Sequence, residues 1–309
     1  MTGNRPDEEA DEWSEWLLHR RHGDDPTYDI AVQESVARFA ENVLDAAHIS
    51  PGMTLLDIGS GEGLVAFRAI ERFGAVKVIL TDISAPMLLH AEQIATHRKV
   101  SDQCRFLQLS AQNLAGIADA SIDVVVARAA IAYVSDKTAA FNEFHRVLKP
   151  GGFISIAEPI LQDEAFLTRV LRTRIEAQTA APRDPFLGLL HRWKSAQFPD
   201  TEAACAESPI VNFSERNLVN FANAAGFTAI HMRLHIDIMP SLVTNWSVFL
   251  GISPHPWAPS LATILEKSFS PDERDLFEKL VRPTVESGKA VTTDRVAYLN
   301  ARKPLCPAS

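Results

Sequence analysis

The chain has 309 residues, of which 46% are hydrophobic and 22% are charged, and its formal net charge is −9. This length allows one large domain or two small ones, and the apolar content is sufficient for a sizeable core. The negative charge argues against a nucleic-acid partner, because phosphate binding requires a basic face.

Residues 1–48 are predicted to form an N-terminal helical segment, with about the first 12 residues disordered. A short helical pattern begins at Trp13, and a second predicted helix runs from about Asp29 to Ala47. The acidic N-terminus has no apolar leader segment, and the sequence has no apolar run of about 18 residues. We therefore expect a cytoplasmic protein with no membrane span.

Strands and helices alternate over residues 49–160, which are predicted to form the cofactor-binding core. Alternation of this kind is typical of an α/β fold with a doubly wound, mostly parallel sheet, here predicted as a seven-stranded Rossmann-like sheet. An unbroken valine run, as in the fourth strand, suits a strand that is buried on both faces. The five predicted strands of this region cover residues 54–58, 77–81, 105–109, 122–127 and 153–157.

The alternation ends after Glu158. Residues 161–213 and 241–288 are too long for ordinary connections, so we predict that they form a largely helical cap over the carboxyl edge of the sheet. Residues 214–240 are predicted to supply a core helix and a strand. Residues 289–309 supply a final strand, either at the sheet edge or paired with that strand, and a tail.

The most informative stretch is residues 55–63, where an apolar run ends at Asp57 and three glycines follow at alternate positions. A second apolar run ends at Asp82. Glycines let the backbone approach a ligand, and an acid at the second position suits ribose hydroxyls, so the pair predicts a nucleoside site. An NAD(P)-dependent oxidoreductase is one alternative. The spacing of the glycines and the acid before them favour instead a ligand with a cationic end, as in S-adenosylmethionine.

Five segments in order resemble the class I S-adenosylmethionine-dependent methyltransferases, nearest to the ubiquinone/menaquinone-type and natural-product small-molecule branch. The resemblance covers about residues 50–160. It is carried by residues 55–63, 78–82, 106–114, 122–126 and 146–152. It implies a Rossmann-like methyltransferase fold and S-adenosylmethionine as cofactor.

The resemblance also implies which residues hold the cofactor. Asp57, Gly59, Ser60 and Gly61 are expected near the methionine part, Asp82 at the ribose, and Ile83 and Met87 beside the adenine. Ala111 and Gln112 are expected at the adenine edge, although family members often carry Asp-Ala-Glu where this chain has Ser-Ala-Gln at 110–112. Arg128 is added to this set because it follows the fourth strand at the ligand-facing edge, where it either binds a substrate anion or pairs with a local carboxylate.

Methyl transfer is an in-line displacement that relies on positioning, so no catalytic residue is required. Three candidates remain open. Tyr133 borders the expected methyl position or packs at a helix start. Glu158 is a base or substrate ligand, or pairs with an arginine such as Arg172. His191 lies in a segment that either clasps the acceptor or forms an amphipathic helix with a solvated face.

The sequence therefore predicts methyl transfer to a small, apolar or aromatic acceptor, at oxygen or carbon, with release of S-adenosylhomocysteine. A non-catalytic S-adenosylmethionine-binding protein is a further alternative. A homodimer is possible. No metal is expected, because His231 and His235 share one strand face without a third ligand, and Cys104, Cys205 and Cys306 lie far apart in the sequence.

Overall fold

Seven strands form one sheet in the order β3-β2-β1-β4-β5-β7-β6 in the computed structural model, which describes residues 10–23, 25–178 and 184–305. Strands β1 to β5 are parallel, whereas β7 is antiparallel to both β5 and β6. The predicted fold class is therefore confirmed. The strands are β1 Thr54–Ile58, β2 Lys77–Asp82, β3 Cys104–Gln108, β4 Ile122–Arg128, β5 Leu148–Pro159, β6 Thr228–Pro240 and β7 Val291–Arg302.

Helices cover both faces of the sheet and the edge at which the parallel strands end. None of the described helices has the length and apolarity needed to cross a bilayer. The helices are α1 Glu12–Glu15, α2 Pro26–Asp45, α3 Leu64–Phe73, α4 Ala85–His97, α5 Lys137–Val147, α6 Gln162–Glu176, α7 Pro185–Ser195, α8 Glu202–Glu207, α9 Glu215–Ala224, α10 Trp246–Gly251, α11 Leu261–Ser268 and α12 Pro271–Glu286. A π-helix spans Trp16–Arg20, and a 3-10 helix spans Ile131–Tyr133.

The core has two halves, one on each face of the sheet. Val125 packs with α5 and α9 on one face, whereas its neighbours Val124 and Val126 pack with α2, α3 and α4 on the other. Successive side chains of a strand point to opposite faces. This explains why the central strand is apolar at consecutive positions.

The two predicted cap insertions share a smaller apolar cluster around Phe277, to which α7, α10, α11 and α12 all contribute. The amphipathic helices of these regions bury their apolar sides against one another. They form an apolar cluster that is separate from the two halves of the sheet core. The predicted domain boundaries at residues 161–213 and 241–288 stay predictions.

Two predictions for the chain ends need correction. Predicted disorder is wrong for residues 10–12, because the Asp11 carboxylate caps α1 and accepts a hydrogen bond from the Ser84 hydroxyl at 3.0 Å. Residues 1–9, and with them most of that prediction, lie outside the described residues, as does Cys306. The final strand β7 pairs with β6, as one alternative predicted, but β6 rather than β7 forms the sheet edge.

Candidate functional site

A cavity of about 1290 Å³ lies at the carboxyl ends of the parallel strands. Its floor contains Gly59 after β1, Asp82 at the end of β2 and Arg128 at the end of β4. Strands β1 and β4 are adjacent in the sheet although β2 and β3 come between them in sequence. Folds of this type bind their ligands at such a switch point.

The glycine loop that follows β1 has backbone angles that favour glycine. Gly59 and Gly61 have φ values of +61° and +53°, and both line the cavity. A Cβ on Gly59 would lie 2.5 Å from that of Ala130. Gly63 has a packing role, because a Cβ there would lie 2.5 Å from the Phe67 ring. The loop therefore brings bare backbone up to the cavity.

Ser60 supplies an unsatisfied polar atom in this loop. Its hydroxyl oxygen is buried and has no hydrogen-bond partner among the described residues, although the residue lines the cavity. Buried polar atoms are nearly always paired, and a lone one at a cavity wall indicates a ligand group. The polar methionine end of S-adenosylmethionine fits this position.

Asp82 connects the glycine loop to the start of α4. Its carboxylate accepts hydrogen bonds from the backbone N–H groups of Gly61 and Ser84, both at 2.9 Å. Burial raises its pKa, whereas these hydrogen bonds favour the ionised form. A carboxylate has about four lone-pair positions, so Asp82, which lines the cavity, can still accept a hydrogen bond from a ligand.

The predicted adenine-binding residues all line the same cavity, namely Ile83, Met87, Ala111 and Gln112. Met87 is buried, and Ile83 is 48% exposed. The side-chain oxygen of Gln112 accepts hydrogen bonds from the Asp136 N–H at 3.0 Å and the Ser135 hydroxyl at 3.2 Å. Only the amide nitrogen of Gln112 is left to donate a hydrogen bond to an adenine ring.

Asp57 lies behind the glycine loop and is not part of the cavity lining. It is buried, and one carboxylate oxygen accepts the Ala66 N–H at 3.1 Å, in the first turn of α3. Burial raises its pKa to about 7. The structure therefore places Asp57 where it holds the loop and the helix together, and does not bring it to the ligand surface.

Arg128 lines the cavity at the end of β4. Within the described parts of the chain, no hydrogen bond or ion pair engages its guanidinium group. Burial and the nearby charge of Arg21, which lines the same cavity, lower its pKa to about 10, while Glu62, Asp57 and Glu158 act in the opposite direction. A partly buried guanidinium group at a cavity wall is suited to bind a carboxylate or phosphate group of a ligand.

Glu158 is fully buried beneath the cavity floor. Its carboxylate accepts hydrogen bonds from the N–H groups of Ala130 and Ala132 at 3.1 and 2.9 Å, so it fixes the 3-10 helix Ile131–Tyr133. Burial raises its pKa to about 7. The alternative partner Arg172 contacts Glu176 and Asp200 instead. The structure places Glu158 as a positioning residue.

Tyr133 lines the cavity at the end of that 3-10 helix. Its ring contacts Trp13 and Trp16 edge-on, with centroids 5.0 and 6.1 Å apart. Burial raises the pKa of its hydroxyl to about 12. The hydroxyl is therefore protonated at neutral pH and can donate a hydrogen bond, but it is not a base.

His191 is outside the cavity lining. Its Nε2 lies 3.0 Å from a carboxylate oxygen of Asp200, on the side of α7. The structure therefore brings together Tyr133 and every predicted cofactor residue except Asp57, and leaves His191 and Glu158 away from the cavity surface.

Sequence reasoning missed the residues that cover the cavity from the N-terminal segment. Residues 13–22 contribute six lining residues: Trp13, Trp16, Leu17, Leu18, Arg21 and His22. The Trp16 indole donates a hydrogen bond to the Ser253 carbonyl at 2.9 Å, and Arg20 donates to the Pro256 carbonyl at 2.9 Å. The available signal was the group of apolar residues Trp13, Trp16, Leu17 and Leu18 between polar stretches.

Comparison with known proteins identifies the domain. Residues 49–196 match a family described as a methyltransferase domain. The tRNA 5-carboxymethoxyuridine methyltransferase of Escherichia coli is 35% identical over 104 residues, which cover 34% of this chain and 39% of that protein. A ubiquinone/menaquinone biosynthesis C-methyltransferase of Brucella anthropi is 37% identical over 103 residues, 33% of this chain and 39% of that protein.

The matched region spans about two fifths of the length of these curated relatives. The YcgJ protein of Bacillus subtilis has the same fold, with a TM-score of 0.55, 19% identity, and coverage of 86% of this chain and 98% of that chain. The Rossmann-like sheet, the glycine loop, the acid after β2 and the family match agree. Residues 49–196 therefore form a class I S-adenosylmethionine-dependent methyltransferase domain, and S-adenosylmethionine is the cofactor of this domain.

Proposed function

We propose that this protein transfers a methyl group from S-adenosylmethionine to a small, apolar or aromatic acceptor, at an oxygen or a carbon atom. The observation that carries the proposal is the cavity, which joins the cofactor-binding loops to a largely apolar wall in one space of about 1290 Å³. That volume exceeds a typical ligand pocket and has room for a cofactor together with an acceptor.

Each part of the cofactor has a proposed partner. Asp82 holds the ribose hydroxyls, Ile83 and Met87 flank the adenine, and Ser60 meets the polar methionine end. When bound, the cofactor supplies a methyl group on a sulfonium centre that is already activated for displacement. The protein then has to hold the acceptor in line with that methyl group and to exclude water.

The wall of the cavity beyond the cofactor residues favours an apolar acceptor. It includes apolar side chains from α2, α6 and β7, namely Val32, Val36, Phe39, Phe166, Leu167 and Val296. Two charged pairs in the same wall neutralise each other. Arg295 contacts Asp163 at 2.6 Å, and Lys194 contacts Glu164 at 3.2 Å. These two pairs reduce the net charge that faces an acceptor from this side, although Asp294 also lines the wall.

Two other residues give the acceptor its proposed orientation. The Tyr133 hydroxyl is a donor that can hold an acceptor oxygen near the methyl group. Arg128 can hold a carboxylate, either of the cofactor or of the acceptor. Neither residue removes a proton, so the acceptor has to react as its anion or lose its proton to solvent water, and the protein's contribution is positioning. The Brucella anthropi relative is named a C-methyltransferase, which supports a carbon acceptor.

A tRNA acceptor is the main competing proposal, because the E. coli relative is named for tRNA. The net charge of −9 counts against it, since tRNA binding requires a basic surface. The cover formed by the N-terminal segment also favours a small acceptor. The expectation of a cytoplasmic location rests on the sequence and is part of the same proposal.

Isothermal titration of the protein with S-adenosylmethionine and S-adenosylhomocysteine tests the cofactor site, and a transfer assay with labelled methyl tests the acceptor. We expect micromolar binding of both ligands, followed by labelling of some members of a panel of aromatic and isoprenoid phenols and quinols. Labelling of bulk tRNA alone would overturn the small-molecule proposal. Binding without turnover on any acceptor would favour the non-catalytic alternative, and tight NAD(H) binding would favour the oxidoreductase.

A further inference from the structure

Strand β6 forms an outer edge of the sheet and exposes apolar side chains. It is 13 residues long and, within the described residues, pairs only with β7. Leu234, Ile236 and Ile238 share one face and are 40%, 54% and 69% exposed. Long edge strands with exposed apolar side chains are sites at which another strand adds, and proteins usually protect them.

The residues of β6 are arranged symmetrically about His235. Leu234 and Ile236 lie on either side of it, and the next positions outward are Arg233 and Asp237. In an antiparallel pair of identical strands, a two-fold axis through one residue makes residues at equal distances from it face each other. With the axis at His235, Arg233 of each copy faces Asp237 of the other.

The same register matches the apolar face. Leu234 faces Ile236 of the second copy, and Met232 faces Ile238, so the exposed apolar residues of both copies adjoin on one face of the joined sheet. With the axis at residue 234, Arg233 would face His235 of the second copy. With the axis at residue 236, it would face Met239, so neither register forms the ion pair. An axis between two residues would place apolar and charged residues on the same face.

Within one copy, Asp237 has an unfavourable neighbour. It stands opposite Asp294 in the β6–β7 register, and like charges directly opposite each other destabilise a strand pair. Burial and the charge of Asp237 raise the pKa of Asp294, while Arg38 on α2 lowers it. A cation beside Asp237 would offset this repulsion. Arg233 of the same chain instead lies over the Tyr298 ring, 5.8 Å from its centroid.

We propose that this protein forms a homodimer in which β6 pairs with β6 of a second copy, antiparallel, with the two-fold axis through His235. The two sheets join into one continuous sheet. Two Arg233–Asp237 ion pairs set the register, and the apolar face of β6 supplies the buried surface.

Charge reversal tests both the interface and its register. In sedimentation velocity of the full chain at roughly 1 to 100 µM, we expect a concentration-dependent dimer. Arg233→Asp alone and Asp237→Arg alone should each raise the dimer dissociation constant by about tenfold or more, because both cross-strand pairs then carry like charges. An equimolar mixture of the two variants should restore dimers, because every cross-strand pair in the heterodimer joins opposite charges.

The matched control is Arg216→Asp on α9. The Arg216 side chain is 90% exposed, and this substitution changes the net charge by the same amount as Arg233→Asp. It should dimerise like the wild type. Binding of S-adenosylhomocysteine by each variant shows that it is folded. A monomer throughout the concentration range, a dimer that neither reversal weakens, or a mixture that associates no better than its components would overturn the proposal.

Discussion

Asp82 has two proposed roles, and a single substitution affects both of them at once. It holds the Gly61 and Ser84 N–H groups, and we assign its remaining lone pairs to the ribose. We predict that Asp82→Asn weakens S-adenosylhomocysteine binding by about 1.5–3 kcal/mol, because charge-assisted hydrogen bonds are lost. Isothermal titration measures the change, and Asp102→Asn, an exposed aspartate in a turn before β3, is the matched control.

A thermodynamic cycle separates the two roles. An S-adenosylhomocysteine analogue that lacks the ribose 2′-hydroxyl should bind the wild type more weakly but lose little further affinity for Asp82→Asn. If the two losses simply add, Asp82 acts through the loop alone and the ribose assignment is wrong.

Titration of Glu158 should make the stability of the folded protein depend on pH, and the raised pKa of Glu158 fixes the sign of that dependence. Its pKa is about 7 in the folded protein against an ordinary value of 4.5, so the folded state keeps the proton that the unfolded chain has released between these values. The contribution of Glu158 to stability is therefore complete below about pH 4.5 and is lost as the pH rises to about 7. We predict a loss of about 1–3 kcal/mol across this window.

Urea unfolding at several pH values measures this contribution in the wild type and in Glu158→Gln, which cannot titrate. The contribution of Glu158 is the difference between the pH profile of the wild type and that of Glu158→Gln, because Asp57 also has a raised pKa and remains in both proteins. Glu71→Gln, at an exposed position on α3, is the control. Identical pH profiles for wild type and Glu158→Gln would contradict the prediction.

At the scale of residues, the sequence identified the acid after β2 and the glycine loop, because their spacing along the chain is the signal. It did not separate Asp57 and Glu158, which lie beneath the cavity surface, from Asp82, which lines it. All three follow or end apolar strands, and only the packing of the 3-10 helix and of α3 decides which carboxylate is covered.

At the scale of elements, the N-terminal segment at residues 10–23 closes over the glycine loop. Trp16 is 6% exposed and bonds to Ser253, and the Leu17 side chain lies 3.9 Å from where a Cβ on Gly61 would be. We expect a cofactor below this segment to leave past it. The strength of the contacts that hold the segment should therefore set the rate of cofactor release.

We predict that Trp16→Phe speeds S-adenosylhomocysteine dissociation by about fivefold, because the lost indole hydrogen bond leaves the Ser253 carbonyl unpaired at a cost of about 1 kcal/mol. Stopped-flow fluorescence with a competing ligand measures the rate. The control is Trp257→Phe, since Trp257 also contacts Tyr133 but is 44% exposed and does not line the cavity. Equal rates in the two variants would argue against a cover held by Trp16.

Elements encoded by local sequence were predicted well, whereas contacts between residues far apart in the sequence were not. The predicted core strands lie within two residues of the observed ones, except that β5 begins at Leu148 and continues to Pro159. Local periodicity and caps define such elements. The Trp16–Ser253 contact spans 237 positions, and the insertion of β7 between β5 and β6 depends on which edges are free, so no local pattern predicts either.

At the scale of the whole molecule, one cavity is lined by parts of the chain that lie far apart in sequence. Three of these parts are the N-terminal segment with Trp16, the glycine loop after β1 with Gly59, and the second cap insertion with Ser253. Ligand binding to such a site should stabilise all three parts together. At a ligand concentration 100 times the dissociation constant, the free energy of unfolding should rise by about 2.7 kcal/mol.

Hydrogen exchange tests whether that stabilisation is shared. We predict that saturating S-adenosylhomocysteine slows amide exchange at residues 13–21, 59–63 and 252–253 together, because the cofactor holds the glycine loop and the segment above it in contact. Amides of α12, which line no part of the cavity, serve as the internal reference and should change little. Asp82→Asn at the same ligand concentration should show a smaller effect in all three regions. Protection limited to residues 59–63 would mean that the N-terminal segment and the insertion do not respond to the cofactor, and the cavity would then be open on that side in solution.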